Sequence, residues 1–243
     1  MKCKRSIFCL YIGIIIFLTL KWYVGYRFIP STLPHEELID EVSIFSNFTN
    51  IAYMLSVYTL FYLFLIIIQL PSITDIYCIR YSRKRYIKKG LKIIFYNALI
   101  FSSLLVILQA LFLMLQFNKG IYLITNYYIV GSIFTIILWT NSYTIIGLLF
   151  YFLYLCTKSK ILSILITSFV TIGLLAIFRF YHINTLFSEI DVLKSLYYGN
   201  FNISLYVFIN FKYVLCLYII FTMCETVFSK RDLIMLKEQN VYE

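Results

Sequence analysis

Polar interruptions cut the chain into six apolar runs, at about 6–24, 50–70, 93–117, 133–156, 161–178 and 206–228. Apolar residues in these runs are continuous and do not alternate, which argues against barrel strands of about ten alternating positions. A continuous run of about twenty apolar residues has the length an α-helix needs to cross the hydrocarbon core of a bilayer. Within lipid, only helices and closed barrels satisfy every backbone polar group. The pattern predicts an all-α integral membrane protein with about six transmembrane helices, forming a single membrane domain over 1–243.

Local signals sharpen the boundaries. Pro71 stops the second run, and Lys21, Trp22 and Tyr23 suit the outer end of the first as interfacial anchors. Lys2, Lys4 and Arg5 before the first run give it the look of a signal peptide. No small-x-small cleavage site follows, so the run is expected to stay as the first helix. Residues 121–156 carry no charge for thirty-six positions, too long for one comfortable span and too short for two. The more polar part, 121–132, is expected to lie in the interface or to dip in and out, with span four beginning near Ile133.

Composition excludes an ordinary soluble domain: 62% of residues are hydrophobic and 13% charged, against roughly half and a quarter in soluble proteins. The net charge of +10 is concentrated between spans. With the N-terminus inside, fifteen lysines and arginines fall on the cytoplasmic side and six on the other. Every inside segment is basic, so both termini are expected in the cytoplasm. The basic residues therefore read as orientation signals, and no nucleic-acid partner is expected. Abundant Ile, Phe, Tyr, Lys and Asn, with scarce Ala, Gly and Pro, suit an AT-rich bacterial genome, so a multi-pass bacterial plasma-membrane location is expected.

Catalytic signals are weak. His35 and His182 are the only histidines, and there is no HExxH or GxSxG sequence. The six cysteines show no metal-ligand spacing. Glu36 and Glu37 sit in a loop after two prolines, where an acidic cluster is more often a solvated surface than a protease pair. No enzyme, cofactor or metal is expected. Glu225 is the only acid inside a predicted span, one turn from Lys230 and Arg231, and snorkelling accounts for it; Lys212 is read the same way toward the outer side. Without carboxylate or histidine relays at membrane depth, a secondary carrier is the weakest of the transport readings. Uncharged polar residues offer a substrate path instead, chiefly Trp139, Thr140, Asn141, Ser142 and Thr144 in span four. Interhelical hydrogen bonding is the favoured role for that cluster, at about a kcal/mol per bond, with cavity lining second.

The densest charge lies between spans two and three: seven basic residues in the thirteen positions 80–92. A plain cytoplasmic loop touching anionic headgroups explains the charge. The interleaved Tyr77, Ile79, Tyr81, Tyr86 and Ile87 also suit a short helix lying flat at the interface. With the segment Arg80-Tyr81-Ser82-Arg83-Lys84-Arg85-Tyr86 before span three, the six-span layout resembles the permease subunits of ABC-2-type exporters. It looks most like the small permeases associated with bacteriocin and lantibiotic export or self-immunity. The resemblance implies a coupling helix formed by Arg80, Tyr81, Arg83, Lys84, Arg85, Tyr86 and Lys88. It also implies a separate ABC ATP-binding subunit as partner, and a second permease subunit. The chain departs from the family in having five residues before Ser6, too few for the usual elbow helix. It has no GxxxxGK[ST] run, so ATP hydrolysis would belong to the partner. The competing expectation is a non-transporting immunity protein that binds a bacteriocin through the outer loops at 30–50 and 179–203.

Overall fold

A backbone in lipid has no water to satisfy its N–H and C=O groups, so a helix that enters the bilayer runs on until it leaves. The chain follows this rule. The computed structural model describes residues 2–26, 51–70, 83–116, 126–181, 187 and 202–239. Among them are six long helical elements: α1 (Lys2–Tyr26), α2 (Ile51–Gln69), α3 (Arg83–Gln116), α4 (Asn126–Thr157), α5 (Lys160–Tyr181) and α6 (Ile203–Gln239). All six are long and apolar enough to cross a membrane. The protein is an all-α, six-span membrane protein, and the six-run pattern of the sequence is its transmembrane plan.

Four boundaries differ from the hydropathy reading. The span within α3 starts at Ile87, not 93. The fourth span starts at Tyr128, so 126–132 continues the helix of span four; residues 121–125 and the Asn118–Gly120 turn lie outside the described residues. The fifth reaches Tyr181 and the sixth starts at Ile203. The cause is shared: side-chain hydropathy marks where lipid ends, whereas the backbone ladder continues past that point at no cost. A helix of 34 residues such as α3 is about 50 Å long, against about 30 Å of hydrocarbon. Its ends must tilt or project.

α4 is the axis of the bundle. It packs on α3, α6, α5 and α2, whereas α1 is held mainly by α2. Lipid tails are as apolar as leucine, so helices in a bilayer associate through close packing and hydrogen bonds, not through a hydrophobic drive. Glycine supplies the close approach at two places. A Cβ on Gly147 would stand 2.6 Å from Ile94 of α3 and 2.7 Å from the Tyr62 hydroxyl of α2. A Cβ on Gly90 would stand 2.9 Å from the Tyr151 ring of α4. Above Gly147, the rings of Tyr62, Phe101 and Tyr143 lock α2, α3 and α4 together at centroid separations of 5.1 to 5.9 Å.

Turn chemistry fixes the ends. Leu70, the residue before Pro71, is extended (ψ 126°), as the proline ring requires of its predecessor. Lys158 takes a left-handed conformation (φ 59°) between α4 and α5. Ser159 then caps α5, its Oγ accepting the Leu162 N–H at 3.3 Å.

Candidate functional site

Three places hold polar chemistry: the charged end of α3, the polar stretch of α4, and two lysines that grip α2.

At the charged end, Arg83, Lys84, Arg85, Tyr86 and Lys88 all belong to α3 itself. They do not form a separate short helix lying flat on the interface. The sequence between Arg83 and Ile93 has one glycine and no proline, so nothing breaks the ladder. Ile87 and Gly90 are buried on one side, where Gly90 meets Tyr151, while Lys88, Lys89 and Lys92 are exposed. Arg80 and Tyr81 lie outside the described residues. The electrostatics of this end are unbalanced. A helix N-terminus already carries about half a positive charge, and the first turn of α3 adds basic residues and no acid.

In α4, the five residues of the predicted substrate path separate into three kinds. Asn141 reaches across to α6, its Nδ2 donating to Asn210 Oδ1 at 3.0 Å. Asn210 in turn donates to the Tyr206 carbonyl at 2.9 Å, and the Tyr206 hydroxyl donates to the Phe134 carbonyl at 3.3 Å. Ser142 and Thr144 bond back to their own helix, to the Leu138 and Thr140 carbonyls. Trp139 and Thr140 are buried, yet Trp139 Nε1 and Thr140 Oγ1 find no hydrogen-bond partner among the described residues. Tyr143 Oη and Ser102 Oγ are in the same condition. Interhelical bonding thus explains Asn141, while Trp139 and Thr140 are left with chemistry unspent. Gln69 and Asn97 exchange two hydrogen bonds between α2 and α3, at 2.7 and 3.0 Å.

The two lysines carry what hydropathy reasoning missed. Lys21 is tied to α2. Its Nζ sits 3.2 Å above the Tyr53 ring and donates to the Tyr58 hydroxyl at 3.2 Å. Tyr58 closes a π-helical segment, Met54–Tyr58, inside α2; such bulges recur at functional positions. Next to Lys21, Trp22 stacks on Phe112 at 4.9 Å. At the other end of α2, Lys160 Nζ donates to the carbonyls of Leu70 at 2.8 Å and Ile67 at 3.2 Å. Those carbonyls are orphans of the helix C-terminus, the end that favours a cation. The signal for Lys21 was its place inside a span, and for Lys160 its separation from a helix end by one tight turn.

Among the described residues no cluster of His, Cys, Asp or Glu is placed to hold a metal ion. No protein-family model, curated protein or solved structure matches the chain.

Proposed function

We propose that this membrane protein is the permease subunit of an ABC exporter, working with a separate ATP-binding subunit and a second permease, and moving a hydrophobic or amphipathic substrate such as a peptide. The reading rests on resemblance, and one structural observation supports it. The basic segment is rigidly continuous with span three, and that span is wedged against the central helix at Gly90–Tyr151 and Ile94–Gly147. A partner that grips Arg83, Lys84 and Arg85 would therefore move α3 as a lever against α4, with no flexible joint between. The excess positive charge at this end suits an acidic docking surface. In this arrangement the cytoplasmic side is the side of Arg83, Thr157, Lys160 and both chain termini.

The test is a triple charge reversal, Arg83→Glu, Lys84→Glu and Arg85→Glu, with the protein expressed alongside its genomic neighbours. Co-purification of an ATPase subunit is expected with the natural sequence and lost in the variant, while membrane insertion stays intact. An ATPase that remains bound, or no ATPase in either case, overturns the proposal; the second outcome turns attention to immunity by binding at the outer surface.

A further inference from the structure

The heart of the bundle holds a cluster of polar groups that no protein contact satisfies. Gly90 meets Tyr151 and Ile94 meets Gly147, which sets the antiparallel register of α3 on α4. Continued along the two helices, that register brings Ser102 level with Trp139 and Thr140. Ring contacts agree: Tyr143 lies 5.1 Å from Phe101, the neighbour of Ser102, and 6.1 Å from Trp139. Tyr143 lies one helical turn from both Trp139 and Thr140 on α4, four and three residues on. All four side chains are at least 95% buried, and all four polar atoms lack a hydrogen-bond partner among the described residues. The indole N–H can only donate, and each hydroxyl both donates and accepts. The four do not bond one another, although they occupy one layer.

Buried polar groups in folded proteins are almost always satisfied, and where protein atoms do not do it, ordered water does. At several other places in this bundle protein keeps the rule. Gln69 pairs with Asn97, Asn141 with Asn210, and Tyr62 donates to the Ile94 carbonyl at 3.1 Å. The other such atoms on Tyr11, Ser132 and Ser168 belong to half-buried residues, whereas these four belong to buried residues where α3 crosses α4. We infer that Ser102, Trp139, Thr140 and Tyr143 form an internal water-binding site at the centre of the six-helix bundle. Water there accepts from the indole and exchanges hydrogen bonds with the three hydroxyls. In a transporter, such a site gives a polar group crossing the bundle partners to exchange with; that extension rests on the permease reading, whereas the water site does not.

Radiolytic hydroxyl-radical footprinting tests it on the full-length protein in lipid nanodiscs, because radicals generated from bound water oxidise the side chains beside it even when bulk solvent is excluded. Trp139 and Tyr143 are expected to be modified several-fold faster than Phe150 and Tyr213, which are equally buried. Thr140→Val and Ser102→Ala, each removing one hydroxyl at nearly constant volume, should slow modification of Trp139. Modification of Trp139 and Tyr143 no faster than that of Phe150 overturns the inference. So does a Thr140→Val protein that melts at a higher temperature with the Trp139 rate unchanged, since that is the behaviour of a dry, unsatisfied hydroxyl.

Discussion

α4 and α5 are neighbours in sequence, both apolar along their spans, yet the bundle treats them in opposite ways. In its most apolar stretch α4 is 67% buried and α5 only 17%. α5 turns a stripe of small hydroxyl residues inward, Ser163, Thr167 and Thr171, spaced four apart and all buried. Its large residues face outward, with Phe169 and Phe180 each 80% exposed. Thr167 and Ser163 satisfy themselves on carbonyls of their own helix turn, so the stripe is smooth and chemically quiet. α4 buries its large residues instead, among them Trp139, Tyr143, Phe150 and Tyr151. In lipid the gain from burying apolar surface vanishes, so hydropathy cannot rank helices by centrality. Small residues permit approach, and large ones are buried only where neighbours surround the helix on all sides. α5 is a peripheral staple, and α4 is the axis.

That contrast is open to direct attack with matched glycines. Gly147→Ala in α4 drives a methyl group into Ile94 and Tyr62 and is expected to cost about 3 kcal/mol, the upper part of the range for overpacking. Gly173→Ala in α5 meets nothing within 4 Å and should leave stability unchanged. Thermal unfolding in detergent reads both, and equal losses would erase the distinction between axis and staple.

The attachment of α5 is the next target. Lys160→Ala removes the ammonium that caps the end of α2 and is expected to cost about 2 kcal/mol, typical of hydrogen bonds from a charged donor. Arginine in its place should recover part of the loss, and glutamate should deepen it. A loss under the measurement error would mean that the grip of α5 is packing alone.

The smallest effect concerns the polar bridge from α4 to α6. In a double-mutant cycle, Asn141→Ala and Asn210→Ala should show a coupling of about 0.6 kcal/mol, the usual worth of an interhelical bond in a membrane. Zero coupling would make the bridge a bystander and leave the α4–α6 contact to shape.

Much was legible from the chain alone. Six apolar runs meant six helices because lipid leaves no other solution for the backbone, and Pro71 marked the end of α2 because it has no N–H to give. What stayed hidden was direction. Lys21 and Trp22 read as anchors at the outer end of span one, but their partners Tyr53, Tyr58 and Phe112 are distant in sequence and could not be read from it. Trp139, Thr140, Asn141, Ser142 and Thr144 read as one polar cluster, yet a helix turns about 100° per residue and sends neighbours to different partners.

The sequence by itself determined that this protein lives in a membrane, how many times it crosses, and where its charge gathers, because those properties depend on each segment's own exchange with lipid. Only the tertiary structure decided which helix is central, which polar groups find each other and which do not. Those outcomes depend on the rotation and register of one helix against another, set by shape at places such as Gly147 and Gly90, and no single segment contains them.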